Sequence, residues 1–104
     1  MIVIGHRGYS GLYPENTMLA FKKAEELGID AVEMDIQLTK DGTVVIIHDE
    51  TVDRVTGAKG FVRDFTFAEL RKLNASQAVY GDKFGFNPIP SLEEYFIWAK
   101  DTRI

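Results

Sequence analysis

The sequence has 104 residues and no cysteine, which excludes disulfide bonds and thiolate metal sites. Positive charge is also scarce, since 12 Lys and Arg stand against 16 Asp and Glu, giving a formal net charge of -4. A basic footprint for nucleic acid is therefore missing, and no run of Lys or Arg indicates binding to anionic lipid. Any bound metal must be held by Asp, Glu or His, and oxygen ligands favour hard cations.

Long apolar stretches are absent as well. Residues 1–4 are apolar, but the chain turns polar at His6 and Arg7, so no signal peptide is predicted. No apolar run approaches the roughly 20 residues that a membrane-spanning helix needs. We therefore expect a cytoplasmic chain without a membrane anchor, and its length suits one small domain over residues 1–104.

Three segments have the composition of β-strands. Residues 1–5 predict a short strand buried on both faces, residues 29–36 a second strand, and residues 43–47 a third. The Asp41-Gly42 turn between the last two leaves two arrangements open, a hairpin or parallel neighbours joined without a full helix. Two stretches without a clear period are predicted as loops or irregular chain, residues 50–64 and 74–90.

Helices are predicted between and after these strands. Apolar residues at helical spacing predict a helix over residues 16–27, and Gly28 stands where such a helix ends. Two capping-box patterns, beginning at Thr66 and Ser91, predict a short helix and a last helix that ends near Lys100. Strands that alternate with helices favour an α/β fold.

Charged or titratable side chains stand where each predicted strand ends. His6 and Arg7 follow the first strand, Glu33 and Asp35 end the second, and His48 follows the third. In a parallel α/β sheet the ligand site lies beyond the carboxyl ends of the strands. We therefore predict that these five side chains share one site.

The two acidic residues indicate a metal ion. Glu33 and Asp35 are two positions apart, so in one strand both carboxylates point to the same face. Adjacent carboxylates repel, and each is driven toward protonation unless a cation lies between them. A divalent metal resolves this conflict and suits an all-oxygen site. The alternative is a polar strand face that simply meets water.

The basic residues indicate proton transfer and phosphate binding. His6 and His48, the only histidines, are each a candidate general acid or base, a metal ligand or a hydrogen-bonded structural residue. Arg7 has the fork geometry that phosphate accepts, and Gly8 beside it lets a ligand approach the backbone. An ordinary surface arginine is the alternative. Asn16 is explained equally by an anion site at a helix N-terminus or by capping.

Four motifs in this order and spacing resemble the glycerophosphodiester phosphodiesterase family: His6-Arg7-Gly8, Pro14-Glu15-Asn16-Thr17, Glu33-x-Asp35 and His48-Asp49. The similarity continues along essentially the whole chain, through Arg54, Thr56-Gly57, residues 65–70 and residues 89–94. One departure lies at residues 54–57, where the family often has a second Thr and a longer turn.

The resemblance implies a (β/α)8 barrel of the TIM type, an α/β fold of which this chain would form the N-terminal part, roughly three strands and their helices. It implies hydrolysis of glycerophosphodiesters to sn-glycerol 3-phosphate and an alcohol. By the same resemblance, Glu33 and Asp35 bind a divalent metal, Mg or Ca. His6 and His48 form the acid/base pair, with the order of their roles left open, and Arg7 binds the phosphate.

A complete barrel takes about 250 residues. The family begins its fourth strand, which normally supplies another metal-binding glutamate, where this sequence reaches Asp101-Thr102-Arg103-Ile104. An alternative is therefore that this chain alone is a catalytically incompetent fragment, or a module that binds metal or a partner. Self-association of chains would then cover the open sheet edges. A related toxin-type phospholipase D is a rival enzyme, and the lack of cysteines and of a signal peptide argues against it.

Overall fold

The structure is a computed structural model that describes residues 1–102. Of the predicted start of a fourth strand at residues 101–104, Arg103 and Ile104 lie outside the described residues, and the two residues before them are not in a strand. The strands are β1 (Ile4–His6), β2 (Ala31–Glu33), β3 (Ile36–Leu38) and β4 (Val44–Ile46). The helices are α1 (Met18–Leu27), α2 (Asp53–Thr56), α3 (Phe67–Leu70), α4 (Gln77–Tyr80) and α5 (Leu92–Ala99), with a 3₁₀ turn at Val62–Asp64.

The four strands form two separate pairs. β1 and β2 run parallel, as expected of strands joined through a helix, and their register sets His6 opposite Glu33. β3 and β4 run antiparallel, with Ile36 opposite Ile46. The Asp41-Gly42 turn therefore closes a hairpin, which decides between the two arrangements that the sequence left open.

The prediction of one strand over residues 29–36 was wrong. Met34 and Asp35 belong to neither β2 nor β3, because the chain pairs with β1 as far as Glu33 and with β4 from Ile36 onward. A hydrogen bond from the backbone N–H of Ile47 to the carbonyl of Asp35, 2.9 Å long, crosses this break. The change of partner explains why one stretch of alternating apolar and acidic residues is divided between two sheets.

The prediction that the first strand is buried on both faces was also wrong for the described chain. Gly5 is buried, whereas the side chains of Val3 and Ile4 are 48% and 62% exposed. Within residues 1–102, β1 pairs with one strand only, so its apolar side chains lie at an open edge.

β4 and the residue after it lie between two hydrophobic clusters. Because side chains alternate along a strand, Val45 and Ile47 enter one cluster and Ile46 enters the other, where it joins Phe21 and Tyr95. The first cluster gathers buried side chains from the segments after β4, namely Val52, Val55, Val62, Leu70, Ala75 and Ile89. The hairpin is thus covered by α1 and α5 in one cluster and by the residue 50–90 segment in the other.

The predicted helices are present with small shifts. α1 begins at Met18 because Thr17, not Asn16, caps it: the Thr17 hydroxyl accepts a hydrogen bond from the N–H of Ala20. Gly28 ends the helix in the left-handed conformation, as predicted. Both capping boxes are formed, at Thr66 and at Ser91, and they confirm the two later helix starts.

Two stretches predicted as loops contain short helices. α2 and the 3₁₀ turn lie within residues 50–64, and α4 lies within residues 74–90. Helices of four residues are too short to show a helical period, so hydrophobic patterning missed them. Among residues 1–102 the longest helix, α1, has 10 residues, and none there is long and apolar enough to cross a bilayer.

Candidate functional site

The parallel pair β1–β2 brings the first histidine beside the first acidic residue. His6 Nε2 lies 3.8 Å from Glu33 Oε1, and the backbone N–H of Arg7 donates to the same oxygen at 3.3 Å. The side chains of His6 and Glu33 are 65% and 43% exposed. The two residues are therefore neighbours without a close hydrogen bond between their side chains.

The loop after β1 has an unusual backbone that directs Arg7. Arg7 and Asn16 both adopt the left-handed conformation, with φ of 55° and 53°, and the N–H of Asn16 donates to the Arg7 carbonyl at 2.9 Å. Gly8 has φ of 80°, and a Cβ there would lie 2.9 Å from the backbone of Ala20 in α1. Left-handed non-glycine residues are uncommon and gather at functional sites, where the surrounding contacts hold them.

The Arg7 side chain lies between two carboxylates. Its Nη1 donates to Glu15 at 3.2 Å, and its Nε lies 3.4 Å from Asp35 Oδ2. Asn16, which is 3% exposed, donates from Nδ2 to the same Asp35 oxygen at 3.1 Å. The side chain of Asn16 therefore holds Asp35, and the alternative that it caps the helix is excluded because Thr17 is the cap.

His48 has a carboxylate partner of its own. Its Nδ1 lies 2.8 Å from Oδ1 of Asp49, and the carbonyl of His48 accepts from Gln37 in β3. Arg54 in α2 donates to both oxygens of Asp49, at 2.9 and 3.2 Å, and to both oxygens of Glu15, at 2.7 and 2.8 Å. One guanidinium thus ties the loop after β1 to the segment after β4.

These hydrogen bonds keep Glu15, Asp49 and Arg54 charged. Hydrogen bonds from Arg54, followed by that from His48, lower the pKa of Asp49 to about 2. Arg54 also lowers the pKa of Glu15, with a smaller contribution from Arg7, and outweighs the opposing effect of burial. The hydrogen bonds from Glu15 and Asp49 in turn raise the pKa of Arg54. Both carboxylates are therefore hydrogen-bond acceptors at neutral pH.

A continuous series of contacts connects all five predicted site residues. From His6 they run to Glu33, Arg7, Glu15, Arg54, Asp49 and finally His48, and Asp35 joins at Arg7. The sequence missed three members of this path, Glu15, Asp49 and Arg54. They stand in loops or in the four-residue helix α2, and the contact between Glu15 and Arg54 joins residues 39 positions apart. Only the family motifs contained a signal for them.

The fit of a metal ion depends on Glu33 and Asp35. The two carboxylates do not lie on one face of a single strand, since Asp35 follows the end of β2. Both residues nevertheless contact Arg7. Their hydrogen bonds within residues 1–102 use Oε1 of Glu33 and Oδ2 of Asp35, one oxygen of each carboxylate. The donor type suits a hard cation. The described residues contain no group of three or more His, Asp or Glu placed to hold a metal, so this pair would be part of a coordination shell.

Comparisons with known proteins point to one family. The model of the glycerophosphoryl diester phosphodiesterase family matches residues 6–104. A glycerophosphodiester phosphodiesterase of Caldanaerobacter subterraneus is 57% identical over 95 residues, which cover 91% of this chain and 39% of that protein. The chain therefore spans about two fifths of the length of this relative.

Solved structures show the same fold. The crystal structure of a glycerophosphodiester phosphodiesterase from Agrobacterium tumefaciens matches with a TM-score of 0.87 and 34% identity, over 92% of this chain and 41% of that one. A phosphodiesterase of Oleispira antarctica, solved with the product sn-glycerol-3-phosphate, matches with a TM-score of 0.85 and 39% identity, over 90% and 38%. The likeness confirms the predicted fold class, α/β of the TIM-barrel type, for the part of the fold that this chain covers.

Proposed function

The chain belongs to the glycerophosphoryl diester phosphodiesterase family, and on this premise we propose that the protein hydrolyses glycerophosphodiesters to sn-glycerol 3-phosphate and an alcohol. One observation carries the proposal: an arginine lies between carboxylates beside a histidine at the end of a parallel strand pair, and ion pairs followed by a hydrogen bond join it to a second histidine. The related phosphodiesterase of Oleispira antarctica, which holds sn-glycerol-3-phosphate, supports this choice of substrate class.

Arg7 is the proposed phosphate ligand. Within residues 1–102 Nη1 donates to Glu15, and Nε faces Asp35 at 3.4 Å without a hydrogen bond, so Nη2 is the nitrogen proposed to donate to a phosphate oxygen. The left-handed conformation of Arg7 and its bond to Asn16 set the direction of the side chain before a substrate arrives. An arginine held in place loses less conformational freedom on binding than a free surface arginine.

Glu33 and Asp35 are the proposed ligands of a divalent cation, Mg or Ca. Both ions prefer oxygen ligands and take about six or more of them, so two carboxylates supply only part of the shell. When bound, such a cation supplies charge stabilisation for the phosphoryl oxygens. Asn16 has a supporting role here, because its bond to Asp35 Oδ2 orients that carboxylate.

His6 and His48 are the proposed proton-transfer pair. In hydrolysis of a phosphodiester, one group accepts the proton of the nucleophile and another protonates the leaving alkoxide. His48 uses Nδ1 for Asp49, so Nε2 is the ring nitrogen that would meet the substrate. His6 is exposed beside Glu33 at the end of β1 and faces the same set of charges.

A second candidate is that the 104-residue chain alone binds metal or a partner without catalysis. The observation that favours it is the absence, among residues 1–102, of a third acidic or histidine ligand beside Glu33 and Asp35. Release of sn-glycerol 3-phosphate from glycerophosphocholine, measured for this chain and for the full-length protein, separates the two. Release by the full-length protein alone would favour the second candidate for this chain.

The metal assignment is tested in the full-length protein. We expect release to stop after chelation and to return with Mg or Ca. In Glu33→Gln and in Asp35→Asn it should fall at least tenfold to a hundredfold, since loss of a residue that only supports a metal ligand already costs roughly that much. Glu93→Gln, which alters an exposed carboxylate of α5, is the matched control and should leave the rate unchanged. Wild-type turnover by Glu33→Gln, or full turnover without divalent metal, would overturn the assignment.

A further inference from the structure

Arg54 and Glu15 have the geometry of residues that position others. Arg54 donates four hydrogen bonds, two to Asp49 and two to Glu15, from three of its nitrogens. Both oxygens of Glu15 accept from Arg54, and one of them also accepts from Arg7. The Arg54 guanidinium and the Glu15 carboxylate are therefore occupied by contacts with other side chains, and neither is available to bind substrate or metal.

The path through these residues connects the two proposed functions of the site. At one end Glu15 contacts Arg7, the proposed phosphate ligand, at 3.2 Å. At the other end Asp49 contacts the Nδ1 of His48 at 2.8 Å. Each contact in between is a charge-assisted hydrogen bond of 2.7 to 3.2 Å, and bidentate pairs of this kind fix direction as well as distance.

Magnitudes favour positioning over stabilisation as the role of this path. The side chain of Arg54 is 45% exposed, and an exposed ion pair adds about 0–1 kcal/mol to stability. A misplacement of a catalytic group by about 1 Å, by contrast, costs as much as 10²-fold in rate. The effect of Arg54 should therefore appear in the chemistry much more than in the folding of the protein.

We propose that Glu15 and Arg54 are positioning residues that fix Arg7 and His48 relative to each other, with Asp49 holding the neutral His48 ring in its Nδ1-protonated form. Oδ1 of Asp49 can only accept, so His48 must donate from Nδ1. Nε2 is then the unprotonated nitrogen, directed away from Asp49. Arg54 holds Asp49 in the orientation that selects this tautomer, and Glu15 extends the same support to Arg7.

The test compares three substitutions in the full-length protein. Arg54→Lys keeps the charge and removes the fork, so we expect kcat to fall roughly tenfold to a hundredfold while KM changes less than twofold. Glu15→Gln weakens both ends of the path, so kcat should fall and KM should rise. Asp49→Asn keeps the size of the side chain and should lower kcat to a similar extent as Arg54→Lys. These three kinetic comparisons rest on the proposed function, because they measure the proposed reaction.

A second readout does not depend on the substrate. The sequence has only two histidines, so ¹⁵N NMR can follow the His48 ring nitrogens, and His6→Gln assigns them. We expect protonation at Nδ1 in the wild type and a mixture of tautomers in Arg54→Lys and Asp49→Asn. If the protein fails to cleave glycerophosphodiesters, this comparison still decides whether Arg54 positions His48.

Arg71→Lys is the matched control, since Arg71 also pairs with a carboxylate, Glu94 at 3.0 Å, and contacts none of the predicted site residues within the described chain. It should leave kcat and the His48 signals unchanged. Where Arg54→Lys lowers the folded fraction, measured by circular dichroism, Asp49→Asn decides. An unchanged His48 tautomer in the folded variants, or a kcat within twofold of the wild type, would overturn the proposal.

Discussion

The two histidines of this site are held by different means. Around His6 the backbone is tightly packed: its carbonyl accepts from Ser10, and Gly8 lies against α1 with no room for a side chain. The His6 ring itself is 65% exposed and 3.8 Å from its carboxylate. Around His48 the ring is held instead, 2.8 Å from Asp49, whose other contacts come from Arg54.

This difference shows two ways to place a proton-transfer group. The first region uses close packing of the main chain, which tolerates no added atoms but leaves the ring free to turn toward a ligand. The second uses charge-assisted hydrogen bonds, which select one ring nitrogen and depend on the protonation of a carboxylate. The region around His6 should therefore be disrupted by a substitution that adds side-chain volume, and the region around His48 by acid.

The largest effect is expected when each imidazole ring is removed in turn. If both histidines transfer protons, His6→Gln and His48→Gln should each lower kcat of the full-length protein by roughly 10²–10⁴. The size of the two losses should be similar, although the rings are held so differently. Steady-state kinetics with glycerophosphocholine measures them.

Circular dichroism and a thermal transition near that of the wild type would show that each variant is folded. A loss confined to one histidine would contradict the acid/base pair and would leave the other as a structural or metal-binding residue.

A smaller effect concerns the packing of the first region. In Gly8→Ala, the left-handed φ costs about 1–2 kcal/mol, and the Cβ that would lie 2.9 Å from Ala20 adds about 1–3 kcal/mol of overpacking. Gly57→Ala is the matched control: its φ is also 80°, but no atom lies within 4 Å of the added Cβ, so only the first cost applies. Urea denaturation of the full-length protein measures both free energies of unfolding.

Equal losses in the two variants would show that the loop after β1 can move away from α1. The close contact between Gly8 and Ala20 would then not hold the backbone of Arg7 in place.

The smallest effect is the response of the second region to acid. The pKa of Asp49 is lowered to about 2 in the folded protein, against an ordinary value of about 3.9 in an unfolded chain. Asp49 therefore stabilises the fold above about pH 4, and this contribution is lost as the pH falls toward 2. The difference in free energy of unfolding between the wild type and Asp49→Asn should shrink over that range.

Denaturation curves at several pH values between 5 and 2 give this difference. A difference that is constant across the range would mean that the contacts with Arg54 and His48 do not stabilise the charged form of Asp49.

Sequence patterns predicted the parts of this chain that have a period or a motif. α1, α3 and α5 were found because they have helical spacing or a capping box, and the candidate residues were found because they follow apolar strands. The break between β2 and β3 was missed because Met34 and Asp35 interrupt the pairing without interrupting the alternation of apolar and acidic residues. Strand pairing depends on partners distant in sequence, which periodicity within one segment does not report.

The candidate site was predicted incompletely for a related reason. The five candidate residues are visible from their position at strand ends, their residue types indicated the roles, and the resemblance chose among the alternatives. The Glu15–Arg54 contact spans 39 residues between a loop and the short helix α2, and no local rule links them. The left-handed conformation of Arg7 was equally hidden, since nothing in the residue type favours it.

The position of β4 between two hydrophobic clusters determines how local opening spreads through the chain. Val45 and Ile46 point into different clusters, so separating either cluster from the hairpin disturbs the other. The amides of Ile46 and Ile47 are bonded to the carbonyls of Pro90 and Asp35, which belong to different segments. In a hydrogen-exchange experiment these two amides should exchange together, at the rate of global unfolding. The residues around Asp35 would then open only when the whole cooperative unit opens.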